Sequence, residues 1–419
     1  MKVLILGAGI TGVTSAWYLA RAGHEVTVVD RQPQAALETS FANGGQVSVS
    51  QSEPWAGPEA PFKVAKWLWR GDSPLLFRPR LDVRQWQWGA GFLWECLPTN
   101  MRHNIAQMVR LGLYSRDALR ELRDETGIAY DCETRGILQI YFDQASLDDA
   151  AATSKLMREL GCERRTLNTE EAVQIEPALR YIKDRLAGAT FAPDDESGDA
   201  RLFTQGLADL AAQRGVNFRY NTMILGVEHA ADAVTGVRIR DCEGRDSTLR
   251  ADAYLVCLGS YSPLLVRPLG LYLPIYPTKG YSATIDTEGF DGAPHVSITD
   301  DSVKMVFTRL GNRLRIAGTA ELNGYNTDLN MLRCEALLRR TFELFPNAGD
   351  RHSVQYWTGL RPSTPSNVPM IGGTRYRNLY LNTGHGTLGW TEGCGSAKAI
   401  ADIISGRKPE LDFDFQRSG

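Results

Sequence analysis

The chain has 419 residues, of which 43% are hydrophobic and 23% charged, a length and composition that suit two globular domains or one large domain with insertions. Its formal net charge of −3 gives no basis for nucleic-acid binding. The seven cysteines show neither CxxC nor metal-ligand spacing, which argues against a disulfide framework or a metal centre and for reduced thiols in a cytoplasmic setting.

No apolar run approaches the ~20 residues of a membrane-spanning helix. The opening MKVLILGAGI places a lysine before an apolar run, as a secretory signal does. The run is short and passes into glycine spacing without a cleavage site, so it reads as the first strand of the fold. KVLILGAGITGVTSAWYLARAGHEVTVVD then gives strand, tight turn, helix, strand. Val3, Leu4, Ile5 and Leu6 form the continuous apolar run of a strand covered on both faces. Val13, Ala16, Trp17, Leu19 and Ala20 recur at helical spacing as far as Gly23.

Gly7, Gly9 and Gly12 fall between that strand and that helix as GxGxxG. The first permits a tight turn, the second lets backbone approach a pyrophosphate, and the third brings helix and strand together. A pyrophosphate so placed meets the positive end of the helix. Asp30 closes the second strand, where a carboxylate accepts hydrogen bonds from ribose hydroxyls. The motif alone is a weak signal; with strand, helix, strand and acid in order it predicts a dinucleotide site. Instead of another βα unit, RQPQAALETSFANGGQVS follows. Its Ser40, Asn43, Gly44 and Gly45 offer a hydroxyl and close-approaching backbone beyond the ribose, which suits a longer, extended cofactor and points to FAD. An ordinary surface loop is the plainer alternative.

Residues 55–94 hold six of the nine tryptophans, and six basic but two acidic residues lie between Lys63 and Arg84. Trp favours membrane interfaces and Lys or Arg attracts anionic lipid, so this stretch reads either as a docking segment at the inner membrane face or as a tryptophan-lined core. Farther on, the spacing predicts a helix over 101–126, a strand at GILQIYF and a helix over 146–160. DARLFTQGLADLAAQRGVNFRY reads as helix then strand, broken at Gly215. Short antiparallel strands lead next into a buried strand ending at Gly259, and KMVFTRLGNRLRIAGTAEL gives a hairpin about Gly311 and Asn312.

NLYLNTGHGTLGWTEGCGSAKAIADIIS reads as strand, glycine loop and a helix starting near Thr391. Such a loop presents backbone N–H groups and a helix N-terminus to a flat ring, favouring the negative charge that a reduced flavin acquires. Two glycine sites then serve one long ligand, phosphates at the first and reactive ring at the second.

At this point the chain resembles a known family. GAGITGVTSAWYLARAGHEVTVVDRQ, ETSFANGGQ, PIYPTKGYS, WTGLRPSTPSNVPMIGGT and LNTGHGTLGWT together are similar to the small catalytic subunit of bacterial D-amino acid dehydrogenases. These stand within a wider group of FAD-dependent amine and amino-acid oxidoreductases that includes glycine oxidase and D-amino acid oxidase. Several relatives carry NAG where this chain has NGG, a departure that leaves the FAD role intact and widens the space beside the ring.

The resemblance implies an α/β fold: a Rossmann-like FAD domain with a mostly parallel central sheet and a β-meander, in pieces 1–78, 191–270 and 346–419. A second, α+β substrate domain, 79–190 and 271–345, would cover the flavin with a mixed sheet. It implies FAD contacts at Gly7, Gly9, Gly12, Asp30, Arg31, Ser40, Asn43, Gly44 and Gly45, at the backbone of Ile224 by the adenine, at Gly259, and along Gly384, His385, Gly386, Thr387, Leu388 and Gly389. No Cys or His in the matched motifs is a clear attachment point, so the cofactor is expected to be held non-covalently. It implies a D-amino or imino acid as substrate, converted to a 2-oxo acid and ammonia or to a cyclic imine. A quinone or other carrier, rather than oxygen, would take the electrons.

An amino acid presenting its Cα–H to a flavin needs a fixed cation for its carboxylate. Arg361 in TGLRPST is the choice, because a guanidinium offers a planar fork and Pro362 stiffens the chain beside it; a structural ion pair is the alternative. Tyr276 and Tyr281 flank PTKG and either cover the substrate or simply pack. Arg309, Arg313 and Arg315 read as a solvated strand face, with Arg309 the least safe to dismiss. His385 invites a base assignment, but a neutral amine positioned for hydride transfer needs no strong protein base, so no acid or base is nominated. A glycine or sarcosine-type oxidase making hydrogen peroxide, a non-catalytic flavin electron-relay subunit, and an NAD-dependent dehydrogenase are the competing readings, the last leaving the C-terminal glycine loop unused.

Overall fold

The computed structural model describes residues 1–62 and 75–416. Two large sheets organise them. The first has six strands in the order Met370–Gly373, Leu379–Thr383, Ala253–Val256, Lys2–Leu6, Glu25–Val29, Asn217–Arg219. All neighbours run parallel except the antiparallel pair Met370–Gly373 and Leu379–Thr383. The apolar run of the first strand is explained by two-sided burial. Val3 and Ile5 pack with the helices Ile10–Arg21, Ala200–Gln213 and Gly389–Ile404. Leu4 and Leu6 pack on the other face with Val237 and Ile239. Those residues belong to a three-stranded antiparallel meander, Met223–Ala230, Ala233–Arg240 and Asp246–Leu249.

The local signals act as expected where they are strong. Asp199 caps the helix Ala200–Gln213 by accepting from the Arg201 and Leu202 N–H groups, and Gly215 takes the left-handed turn beyond it at φ +91°. The helix predicted over 101–126 begins three residues earlier, at Pro98, and ends at Gly127 with φ +63°. The last helix begins at Gly389, two residues before the expected start. Val83–Glu95 is also a helix, capped by Asp82; its two glycines and three tryptophans give little helical signal.

The second sheet has nine strands. Eight follow the order Gln355–Ser363, Tyr276–Asp286, Arg313–Leu322, Met305–Leu310, Ser297–Asp300, Ile137–Tyr141, Gly188–Ala192, Arg165–Leu167, and Leu75–Phe77 pairs with Arg313–Leu322. The hairpin forms at the expected place, turning through Gly311 at φ +58°. The strand Gln355–Ser363 pairs along its length with Tyr276–Asp286. It therefore belongs to this sheet, although the sequence division puts residues 346–419 with the FAD domain. Leu75–Phe77 likewise joins this sheet from the piece assigned as 1–78.

The Trp-rich stretch is split. Lys63, Lys66, Trp67, Trp69 and Arg70 lie outside the described residues. Trp88 is buried and stacks on Phe92, with ring centroids 5.4 Å apart. Trp86 and Trp94 are 55% and 67% exposed, alongside exposed Phe62, Leu81, Val83 and Leu93. Among the described residues no helix is long and apolar enough to cross a membrane, and no His, Cys, Asp or Glu cluster could hold a metal ion.

Candidate active site

Residues of both sheets line one cleft of about 1850 Å³. At one end, the turn after the first strand holds Gly7 at φ +108°, where a Cβ would stand 2.5 Å from the Cys257 carbonyl oxygen. A Cβ at Gly12 would lie 1.9 Å from the Gly7 carbonyl oxygen, so this glycine brings helix and turn together and does not itself line the cleft. Gly9 does line it. Asp30 accepts from the Ala8 N–H at 2.7 Å through Oδ2 and from the Gln32 N–H at 2.8 Å through Oδ1. Each oxygen keeps a lone pair for a ribose hydroxyl. Burial pushes its carboxyl up from the ordinary value, and the two N–H groups oppose that.

The adjoining loop is fixed on both sides. Ser40 Oγ accepts from the Ile10 N–H at 3.1 Å, tying the loop to the glycine turn and leaving the hydroxyl proton to donate. Asn43 Oδ1 accepts from the Gly45 N–H. Its carbonyl accepts from Arg315 Nη1 at 3.1 Å, and the Gly44 carbonyl accepts from Thr308 Oγ1 at 2.7 Å. Arg315 is thus a buried strut between cofactor loop and second sheet, not the solvated arginine that alternation suggested. Burial draws it down to about 10. Arg313 spans Asp131 and Asp199, and Arg309 donates to the carbonyls of Ala293 and Pro294. Arg31 lines the cleft, paired with Glu38 at 2.6 Å and lying 4.3 Å over the Tyr261 ring. Ile224 and Gly259 line it too.

The C-terminal glycine loop supplies His385, Gly386, Thr387, Leu388 and Gly389 to the same cleft. Gly384, at φ +84°, only makes the turn leading into it. The N-terminus of helix Gly389–Ile404 therefore borders the cleft, its first N–H groups free to meet negative charge. His385 is buried, and that burial draws its imidazole down to about 3. It is neutral across the physiological range and no reservoir of charge.

Arg361 lies on Gln355–Ser363, its guanidinium against the cleft face of the neighbouring strand. Its Nη1 donates to the Thr319 carbonyl at 2.9 Å. Among the described residues it has no ion pair, and burial alone draws it down to about 10. The space it occupies exists because residue 280 is glycine: a Cβ there would lie 2.4 Å from Arg361 Cζ. Opposite Gly280 the partner strand carries an extra residue. Lys279 pairs with Glu321 and Tyr281 with Gly318, so Thr319 and Ala320 together face Gly280, the arrangement of a β-bulge. Thr319 has φ +58°, a real outlier for a β-branched residue.

The two tyrosines do not stand beside Arg361. Side chains alternate across a strand, so Tyr281 points behind the sheet while Gly280 faces the cleft. Its hydroxyl donates to Glu321 Oε2 at 2.6 Å, and Lys279 Nζ lies 3.5 Å from the same oxygen. Tyr281 is nonetheless among the residues that line the cleft. Tyr276 does not line the cleft; its ring packs near Trp88, with centroids 6.4 Å apart. Sequence reasoning passed over Gly280 and Thr319 and left Arg315 on a solvated strand face. For Gly280 the glycine in PTKG was a signal; the bulge at Thr319 left none.

The fit to FAD rests on these features. The left-handed Gly7 turn, the open lone pairs of Asp30, the anchored Asn43–Gly45 loop and a second helix N-terminus share one cleft of about 1850 Å³, which an adenine-to-flavin ligand matches and a lone nicotinamide dinucleotide does not explain.

Comparison with known proteins agrees. A D-amino acid dehydrogenase of Dechloromonas aromatica is 55% identical over 417 residues, covering 100% of both chains. One of Paramagnetospirillum magneticum is 51% identical, covering 99% of this chain and 97% of the other. Among solved structures, glycine oxidase from Geobacillus kaustophilus superposes with TM-score 0.74 at 21% identity, over 98% of this chain and 96% of that one. L-proline dehydrogenase from P. horikoshii gives 0.76 at 17%, over 98% and 95%; both show the shared fold. With residues 2–403 matching the DAO family, FAD dependent oxidoreductase, the chain belongs to that family and FAD is its cofactor.

Proposed function

We propose that the protein is an FAD-dependent D-amino acid dehydrogenase, oxidising D-amino or D-imino acids and passing electrons to a quinone or another non-oxygen acceptor. One observation carries the reading: Arg361 is a cation without an acidic partner among the described residues, set in the cleft that holds the dinucleotide turn. FAD, when bound, accepts the hydride from the substrate Cα. Arg361 holds the substrate carboxylate through its fork, and the Thr319 carbonyl and Gly280 fix where that fork points. His385, kept neutral by burial, adds no positive charge that would compete for the carboxylate. Amine deprotonation is left to solvent and positioning. The curated relatives at 55% and 51% identity, both named D-amino acid dehydrogenase, support the stereochemical preference.

Anaerobic titration of the yellow protein with a panel of D- and L-amino acids tests this. D-isomers are expected to bleach the flavin absorbance and L-isomers to leave it, with little peroxide formed under air. Bleaching by glycine or sarcosine with stoichiometric peroxide would replace the reading with the oxidase alternative; a flavin indifferent to every amino acid would favour the electron-relay subunit.

The acceptor reading has its own support. Trp86 and Leu93 both line the cleft and are exposed, and Leu81, Val83 and Trp94 extend that apolar face beside Arg80 and Arg84. Contact with an anionic membrane through this face would let a lipid-borne quinone reach the cleft mouth. Co-sedimentation with anionic liposomes at low salt, weakening as salt rises, is the expected result; protein left wholly in the supernatant removes the docking idea.

A further inference from the structure

We propose that Thr319 is a second substrate-positioning residue, its hydroxyl donating to the same carboxylate that Arg361 holds. The inference rests on the amino-acid reading given above. Four observations lead to it. Thr319 lines the cleft. The residue is 8% exposed, and its Oγ1, itself buried, has no hydrogen-bond partner among the described residues. Its own carbonyl accepts from Arg361 Nη1 at 2.9 Å, so the backbone of this residue and the guanidinium are neighbours. Its backbone sits at φ +58°, a conformation that a β-branched residue holds only when the surroundings impose it.

Those surroundings are identifiable. Behind the sheet, Lys279 Nζ lies 3.5 Å from Glu321 Oε2 and donates to Asn326 Oδ1 at 2.9 Å and the Asp328 carbonyl at 3.0 Å. This buried pair fixes the register on one side of the bulge, and the surplus residue is pushed towards the cleft. Glycine or asparagine would adopt the same backbone with less strain. A threonine retained there contributes a hydroxyl that neither would supply. A bound carboxylate has about four acceptor positions. The Arg361 fork fills two, and an acceptor left unfilled where no water replaces the partner is costly. The unpartnered Thr319 hydroxyl is the donor next to hand.

The test uses the FAD-loaded full chain with Thr319→Val, which keeps shape and branching, and Thr319→Ser, which keeps the hydroxyl. With the best D-amino acid of the panel, Thr319→Val is expected to raise KM about 10- to 100-fold with a smaller change in kcat, the range for losing a hydrogen bond to a charged group. Thr319→Ser should stay within about threefold of the parent, and both variants should bind FAD as the parent does. An unchanged KM in Thr319→Val overturns the proposal. So does an equal loss in both variants, which would make the backbone alone responsible, or weakened FAD binding at unchanged KM, which would give the hydroxyl to the cofactor. If the parent enzyme itself is not bleached by any D-amino acid, the underlying reading has failed, and that outcome is separate from all of these.

Discussion

Replacing Arg361 with methionine is expected to lower kcat/KM by roughly two to three orders of magnitude while FAD uptake stays intact. The guanidinium is enclosed, lacks an acidic partner among the described residues, and is already drawn down to about 10 by burial. Removing one member of a buried, hydrogen-bonded charge pair costs about 2–5 kcal/mol, much of it from the charge left unpaired. Here that stranded charge is the substrate's. Lysine should recover only part of the loss, since an ammonium on a flexible stem cannot reproduce the fork. Gly280→Ala provides a stricter version, because it keeps the arginine and fills the space beneath it, with the new Cβ 2.4 Å from Cζ and 2.5 Å from Nη1. Steady-state kinetics with flavin content measured in parallel decide the matter. Full activity in Arg361→Met would move the carboxylate to another anchor.

The second large effect concerns stability. Glu392 lies in the first turn of helix Gly389–Ile404, is 0% exposed, and neither carboxyl oxygen has a hydrogen-bond partner among the described residues. Burial raises its carboxyl well above the ordinary value, so the folded protein holds a proton that the unfolded chain releases. The folded state then binds more protons, and stability falls as pH rises above the ordinary glutamate value of about 4.3. Glu392→Met removes the buried polar atoms at similar volume. It is expected to stabilise the protein at neutral pH by about 1–3 kcal/mol and to flatten this part of the pH dependence. Thermal denaturation from pH 5 to 8 tests both, and a variant whose melting temperature drops at pH 8 would show that the carboxyl has a partner it needs.

What the sequence revealed and what it hid have distinct physical causes. The first strand, glycine turn and helix were legible because each has a local signature: a continuous apolar run, a motif at fixed spacing, and a 3.6-residue period. The same holds for the hairpin at Gly311 and the helix end at Gly215. Tyr281 was ambiguous because alternation tells that neighbours face opposite ways but not which way is inward. Lys279 and Glu321 settle it through a pairing of residues far apart in the chain. Arg315 looked solvated for the same reason, since its partner is the Asn43 carbonyl on a distant loop. Arg361 was nominated from chemical need, whereas its strand was grouped with the other sheet because strand pairing is not written in the strand. Glu392 resembled an ordinary acidic residue of a helix first turn, and only the packing around it shows otherwise.

The strand order of the six-stranded sheet has a consequence for how the protein is made. Its centre joins residues 2–6 to 253–256, and 253–256 to 379–383. The amino-terminal strand therefore waits for most of the polypeptide to leave the ribosome before one of its edges is covered. Such distant pairing slows assembly, and the early chain meanwhile exposes an unpaired, strongly apolar border of the kind that chaperones shield.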